Sequence, residues 1–403
     1  MTTSVAFVCD AVRTPFGAEG GTLAPVRSDD LAAVPIQALM KRNQRVDWAA
    51  VDDVIYGCGN QGGEDQQNVA RVAALLSGLP ESVPGMTVNR LCGSGLEAVA
   101  VAARAIKLDE GALYLAGGVE SVSRAALVLP KTAIAKVSGV RLADPATGWR
   151  FINPVLHDRF GTHSAIEVAE NVATEFRISR TAQDAFAYRS QQRAAGALKS
   201  GVLGRQIVPV LVSRKRPIEA LVDSDEHPRP QLTREKLAKL KPILRSGWTV
   251  TSGNSAPNAD GACAVLLASQ DAAKRFELAP WARVVAAAAV GVEPRLGGVG
   301  PVPAIRRVLT QARVPLSQVD LLELNEVSAA ETLAVLRELG LPENAPFVNP
   351  NGGALAFGQA CAAGSARLVA NAAHEMQRTG VRYALCAGRI GMGQGMAVLL
   401  ERP

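Results

Sequence analysis

Met86-Thr-Val-Asn89-Arg90-Leu91-Cys92-Gly93-Ser94-Gly95 runs from a strand-like segment into a helix, with a cysteine and two glycines at the joint. Met86–Arg90 reads as a strand, Gly93–Leu108 as a helix, and Ala112–Ala116 as a buried strand, which together make a βαβ unit. The pattern returns near the other end of the chain. Gly358-Gln359-Ala360-Cys361 opens a helix that runs to Gly380, and Val381-Arg-Tyr-Ala-Leu-Cys386-Ala-Gly388 answers Ala112-Leu-Tyr-Leu-Ala-Gly117-Gly118. Outward from the first unit, Val5–Cys9 and Val51–Tyr56 read as strands. Ser28–Arg42, with Ser28 or Asp29 as N-cap, and Gln67–Ser77 read as helices. Around the second unit, Ala282–Val290, Val319–Leu324, Tyr383–Ala387 and Met396–Leu400 read as strands, and Pro303–Ala312, Ala329–Leu339 and Gly364–Met376 as helices. The alternation predicts an α/β fold with a mostly parallel sheet covered by helices. The echo predicts a duplicated unit with a pseudo-twofold axis.

Residues 122–250 break the pattern. They hold eight prolines (130, 145, 154, 209, 217, 228, 230, 242) and one clear amphipathic helix, Ser164–Phe176, and read as a long insertion folded over the sheet. Trp248–Thr251 and Asp260–Ala268 return to strand-like material that completes the first half. The insertion also holds 21 Lys and Arg against 11 Asp and Glu, a net +10, while the rest of the chain carries −4. Such a segment attracts an anionic ligand. With aromatics at 4% and no recognition motif, nucleic acid is not the expected anion.

The 403 residues are enough for two or three domains with buried cores. No apolar run reaches the ~18–20 residues of a membrane span. The N-terminal residues lack the basic start of a signal peptide, so a cytoplasmic protein is expected. Six cysteines, at 9, 58, 92, 263, 361 and 386, are scattered with no Cys-x-x-Cys pair, which argues against a disulfide framework or a zinc site. Cys9, Cys58 and Cys263 read as small buried apolar residues.

Cys92 is different, because a thiol at a helix N-terminus faces unpaired backbone N–H groups and about half a positive charge. Its pKa falls below the ~8.5 of a free cysteine, and the flanking glycines let a ligand come close. A buried cysteine in a glycine-rich turn is the plainer alternative. In the C-terminal half, Glu323-Leu-Asn325-Glu326 ends a strand, where α/β folds carry functional polar groups. Asn349-Pro-Asn351-Gly352-Gly353 and Cys386-Ala-Gly388-Arg389-Ile-Gly391-Met-Gly393 are glycine-rich turns whose composition turn chemistry alone accounts for.

In their order along the chain these segments resemble the thiolase family. They are Asn89-Arg-Leu-Cys92-Gly-Ser-Gly, Gly117-Gly-Val-Glu120-Ser-Val-Ser123, Gly161-Thr-His163-Ser-Ala-Ile-Glu-Val-Ala-Glu-Asn171, and Ser252-Gly253-Asn254-Ser255 through Asp260-Gly261. Asn325-Glu326, Asn351-Gly352-Gly353 and the Cys386 loop complete the set. The resemblance implies duplicated βαβαβαββ halves in a layered α-β-α-β-α core with an inserted loop domain. Residues 1–121 plus 251–272 form the N-terminal half, 122–250 the basic loop domain that binds coenzyme A, and 273–403 the C-terminal half. It implies an acyltransferase that forms or cleaves 3-ketoacyl-CoA by ping-pong transfer, with acyl-CoA as substrate and no permanently bound cofactor. A homodimer or homotetramer in fatty acid metabolism is implied, with no nucleic-acid or membrane partner. By the same resemblance Cys92 is the acylated nucleophile, Cys386 the second cysteine that moves a proton, and Asn325 the holder of an oxyanion-hole water. The N–H groups of Cys92 and of a glycine in the last loop, Gly388 or Gly391, make the second oxyanion hole. Arg229 lies near the coenzyme A nucleotide, Ser252, Gly253, Asn254 and Ser255 along its pantetheine arm, and Phe160 beside that arm.

The chain also departs from the family pattern. Where the family has Gly-His-Pro, this chain has Gly358-Gln359-Ala360. Glutamine donates a hydrogen bond but does not accept and return a proton. Asn325-Glu326 continues as Val327-Ser328 instead of Ala-Phe, Arg389 stands in a glycine run, and Arg159-Phe160 replaces His-Met. His163 is a candidate substitute base, and Cys361 reads as helix packing. These departures leave an alternative reading, a thiolase-like protein with impaired condensation activity that binds acyl-CoA or acts as a partner subunit.

Overall fold

The computed structural model describes residues 4–60, 63–64, 66–129, 142–144, 148–213 and 219–403. The first half contains strands β1 (Ala6–Arg13), β2 (Gly17–Ala18), β3 (Asp53–Gly57), β4 (Gly85–Val88) and β5 (Leu113–Glu120), with helices α1 (Ser28–Arg42), α2 (Val69–Leu76) and α3 (Ser94–Lys107). The middle contains α4 (Pro154–Phe160), α5 (Ala165–Glu175), α6 (Arg180–Lys199), β6 (Val210–Ser213), β7 (Glu219–Val222) and α7 (Arg234–Ala238). β8 (Ala259–Ser269) and α8 (Gln270–Arg275) return to the first half. The second half contains β9 (Ala282–Gly291), α9 (Pro301–Ala312), β10 (Leu321–Leu324), α10 (Ala329–Glu338), α11 (Ala354–Phe357), α12 (Cys361–Thr379), β11 (Tyr383–Ile390) and β12 (Gln394–Glu401).

The expected duplication is visible in the strand pairing. In the first half β3 is parallel to β5, β5 antiparallel to β8, and β8 antiparallel to β1. In the second half β10 is parallel to β11, β11 antiparallel to β12, and β12 antiparallel to β9. The two runs join where β1 and β9 pair through Phe7 with Arg283 and Val8 with Ala282. The expectation of a mostly parallel sheet is wrong. Only β3–β4, β3–β5 and β10–β11 are parallel among the described pairs of the large sheet. The cause is local: β11 turns directly into β12 as a hairpin, and such short connections require antiparallel neighbours.

The layers follow from three apolar clusters. In the first, Leu31, Ile36 and Leu39 of α1 and Val69 and Ala73 of α2 pack on β3, β5 and β8. In the third, Ile305 and Val308 of α9 and Leu333 of α10 pack on β10, β11 and β12. Between them lies a cluster built on α3 and α12, with Leu96, Val99, Leu368 and Val369 touching strands of both halves. The sequence is therefore helix, sheet, helix pair, sheet, helix. The two central helices are the echoed pair, and both point their N-termini at the same place.

Some expectations are corrected. The N-cap of α1 is Arg27, with no side-chain cap, and Arg27 instead binds Asp29. Trp248–Thr251 is not a strand, and Thr251 makes one isolated bridge to Pro242. Among the described residues the middle contains four α-helices. The longest, α6, buries Gln183, Asp184, Ser190 and Gln191 beside Phe186 and Ala187, so it shows no apolar stripe in sequence. Helix α5 is as expected, with Ser164 and Glu167 forming a reciprocal capping box. Pro130, Pro145 and Pro217 lie outside the described residues. No disulfide links the described cysteines. None of the described helices is long and apolar enough to cross a membrane.

Candidate active site

Cys92 sits two residues before α3, in a turn where Leu91 takes a φ of +48°. A non-glycine residue in that region costs roughly 1–3 kcal/mol and marks a turn held by its surroundings. Those surroundings are the end of β11. A side chain at Gly93 would meet the Ile390 side chain at 2.4 Å and push it aside, so glycine lets the strand end close over the turn. The other wall is the start of α12. A Cβ at Gly95 would lie 2.2 Å from the Ala362 carbonyl oxygen, and Ser365 Oγ accepts from the Gly95 N–H at 3.0 Å. The two central helices thus touch at their N-terminal turns.

That contact brings a second thiol to the first. Cys361, the first residue of α12, has a φ of +29°, and its sulfur is 3.8 Å from that of Cys92. Both cysteines are half-buried and line a cavity of about 900 Å³, together with Gln359, Arg389, Ser252, Ser255 and Gly391. Val327, Ser328, Trp149, Arg150 and His163 also face it, so the middle segment supplies part of the wall. Its volume suits a substrate-sized ligand.

The electrostatics separate the two thiols. The Cys92 pKa is lowered to about 6, first by the hydrogen bond from Cys361, then by the positive charge of Arg389, the Gln359 amide and the Cys92 backbone N–H, against the cost of burial. The Cys361 pKa is pushed well above the usual thiol range, first by the hydrogen bond to Cys92, then by burial and by the charges of Cys92 and Glu120. Cys92 is the thiolate of the pair and Cys361 keeps the proton. Glu120 ends β5 beneath the site, where it accepts from the N–H groups of Gly59, Asn60 and, at 3.4 Å, Ala362 near the start of α12. Burial raises its pKa to about 7. Arg389 is 8% exposed and stands 3.4 Å from Glu331 without a well-aligned hydrogen bond.

The expected site residues divide into two groups. Cys92, Gln359, Gly391, Ser252 and Ser255 line the cavity. Gln359 is buried, and neither its Nε2 nor its Oε1 has a conventional hydrogen-bond partner among the described residues. Asn325 is buried just behind the wall against Gly388, with Nδ2 likewise unpartnered. Gly388 itself lies inside β11, paired with Met396.

Cys386 does not join Cys92. It is fully buried in the central cluster and donates to the Leu368 carbonyl oxygen at 3.3 Å, and burial holds its pKa well above the usual range. Strand alternation explains this: three residues on, Arg389 has the opposite parity and reaches the cavity. Asn254 is structural, accepting from Thr251 N–H and donating to Asp184 and the Thr249 carbonyl. Gly253 packs against Leu237 and Leu240. Arg229 and Phe160 are exposed and off the cavity wall, and Arg229 donates its backbone N–H to Gln191. The Asn349 turn is structural too, since Asn349 bonds both backbone groups of Leu324 and the Glu326 carboxylate.

Cys361, expected to serve helix packing, instead lines the cavity with its sulfur against that of Cys92. Its signal was the internal echo, which set it at the same helix start as Cys92. Among the described residues no cluster of His, Cys, Asp and Glu could hold a metal ion.

The models of the thiolase N-terminal domain and of the thiolase C-terminal domain match residues 6–271 and 278–402. The chain is 53% identical over 397 residues to the 3-oxoadipyl-CoA/3-oxo-5,6-dehydrosuberyl-CoA thiolase of Escherichia coli K12, covering 98% of this chain and 99% of that one. It is 50% identical, with the same coverage, to a beta-ketoadipyl-CoA thiolase of Acinetobacter baylyi. The crystal structure of the Bacillus anthracis acetyl-CoA acetyltransferase superposes with a TM-score of 0.92 at 36% identity, covering all of both chains. The alternative of impaired condensation finds no support among these relatives, each named as an enzyme. The chain belongs to the thiolase family and is an acyl-CoA acyltransferase of thiolase type, acting on coenzyme A thioesters.

Proposed function

We propose that the protein cleaves or forms 3-ketoacyl-CoA by transferring the acyl group through Cys92, and that its acyl group ends in a carboxylate. The observation that carries the first part is the ionised Cys92 thiol on a cavity wall. With its pKa lowered to about 6, Cys92 favours the thiolate at neutral pH, so the nucleophile is ready without a neighbouring base. Attack on the keto carbon gives acyl-Cys92, and coenzyme A then takes the acyl group. As the resemblance suggests, Asn325, whose Nδ2 is unpartnered among the described residues, holds a water for one developing oxyanion, and the N–H groups of Cys92 and of Gly388 or Gly391 donate to the other.

Two observations support the carboxylate. The relatives at 50–53% identity are named for 3-oxoadipyl-CoA and beta-ketoadipyl-CoA, and among the described residues Arg389 and Arg150 line this chain's cavity. The basic middle segment, 122–250, is the coenzyme A-binding part between halves 1–121 plus 251–272 and 273–403, with Arg229 and Phe160 meeting coenzyme A at its outer end. We further assign the protein to the cytoplasm as a homodimer or homotetramer, with no permanent cofactor, in the metabolism of such acyl-CoA esters.

Thiolysis rates decide the matter. With coenzyme A, 3-oxoadipyl-CoA is cleaved with a higher kcat/KM than acetoacetyl-CoA, and Cys92→Ala loses both activities by roughly 10⁴-fold or more. Equal rates on both substrates contradict the carboxylate assignment, and an active Cys92→Ala contradicts the mechanism.

A further inference from the structure

The substitution of Gln359 leaves the reaction short of a proton carrier. In carbon–carbon cleavage a proton must reach the α-carbon of the departing thioester, and glutamine does not supply one. Among the described residues, the side chains on the cavity wall besides Cys92 that carry an exchangeable thiol or imidazole proton are those of Cys361 and His163. Of the two, Cys361 is the one against Cys92, its sulfur 3.8 Å away. Its backbone is held at a φ of +29° at the first residue of α12, in a helix start fixed against α3 by Gly95 and Ser365. Cys386, the cysteine expected from the resemblance, is buried away from the cavity.

We propose that Cys361 is a catalytic residue of this enzyme, the group that delivers the α-proton in cleavage and removes it in condensation. The inference rests on the reading of Cys92 as acyl acceptor. In cleavage the Cys92 thiolate attacks the 3-keto carbon and forms an S–C bond. The bond between that carbon and the α-carbon breaks, and its electron pair stays on the α-carbon of the departing acetyl-CoA. Cys361 Sγ–H gives that carbon its proton, leaving acyl-Cys92, acetyl-CoA and a Cys361 thiolate. Coenzyme A then passes its thiol proton to Cys361. The coenzyme A thiolate attacks acyl-Cys92, the new acyl–S bond forms, and the Cys92–acyl bond breaks with its pair returning to Cys92. The site ends as it began, with one thiolate and one thiol. No histidine enters the balance.

The charges around the pair suit this order of events. In the resting site the hydrogen bond with ionised Cys92 is the largest influence keeping the proton on Cys361. Acylation of Cys92 removes that charge, so Cys361 becomes a better proton donor when the α-carbon needs one. Arg389 favours the ionised form of both thiols and so accepts the charge on either sulfur. Glu120 opposes it at Cys361 and helps return the proton there. Among the described residues, Arg150 and His163 complete the charged, thiol and imidazole groups of the wall.

The test separates acyl transfer from proton transfer. The parent protein, Cys361→Ala, Cys361→Ser and Cys386→Ala are each incubated with acetyl-CoA deuterated at the methyl group. Acetyl on Cys92 is read by peptide mass, and loss of deuterium to water by the mass of recovered acetyl-CoA. Both Cys361 variants still acquire the Cys92 label, the alanine variant more slowly because its Cys92 is less ionised, but lose deuterium washout and thiolysis by about 10²–10⁴-fold. Cys386→Ala keeps all three. Cys361→Ala and Cys361→Ser washing out deuterium within a few-fold of the parent would overturn the proposal. So would a parent that labels Cys92 yet releases no deuterium. Should Cys361→Ala not fold, the nearly isosteric serine variant carries the same expectation. Absence of label in the parent would instead refute acyl transfer through Cys92.

Discussion

At the residue scale the site is a matter of who holds one proton. Cys92 and Cys361 share a hydrogen bond that, more than any other influence, leaves the charge on Cys92, and the charge of Glu120 helps keep the proton on Cys361. A folded-state pKa lowered from 9 to about 6 means the native protein favours the thiolate. The stabilisation from that ionised form is present at alkaline pH and is lost as pH falls through about 6. Alkylation of Cys92 by iodoacetamide follows the same curve, rising through a midpoint near pH 6. In Cys361→Ala, where the largest cause of the lowering is gone, the midpoint moves upward; an unmoved midpoint contradicts the shared proton. Part of this was legible in the sequence. A thiol between a strand and a helix start, flanked by glycines, pointed to Cys92. Nothing in composition or spacing told Cys386 from Cys361 as its companion, because that depends on strand parity at one and helix–helix contact at the other.

At the element scale the pairing of α3 with α12 makes the site. Each helix carries its cysteine at its N-terminal end, and the absence of a side chain at Gly95 sets how near the ends come. Gly95→Ala drives a Cβ into the Ala362 carbonyl and Ala366, costing about 1–3 kcal/mol by overpacking, read from a denaturant titration. Activity falls further than that loss of stability implies, since the two sulfurs move apart; a stable variant with parental activity contradicts the pairing. The helices were legible from their apolar spacing and glycine stops, and their kinship from the repeated residues. The antiparallel majority of the sheet was not, because strand periodicity does not record direction. Helix α6 escaped for another reason. It buries polar side chains that find partners such as Thr249, Glu326 and Leu355, and those partners are distant in sequence.

At the scale of the whole molecule, two similar halves each bring one helix to the centre, and the middle segment roofs the cavity between them. A buried ion pair ties that segment down: Arg13 of β1 meets Asp225 in two hydrogen bonds, at 2.6 and 2.8 Å, with both side chains fully buried. The duplication and the positive charge of the insertion were readable from sequence, whereas the roof's contacts were not, because they join residues some two hundred positions apart. The halves, the roof and the thiol pair serve one central claim, that acyl groups pass through Cys92. Rapid quenching of the protein with acetyl-CoA, followed by peptide mapping and a chase with coenzyme A, tests it most directly. The account predicts acetyl on Cys92 alone, formed within one turnover and removed by coenzyme A. Turnover with no acetyl on Cys92, or an adduct there that coenzyme A never removes, would contradict it.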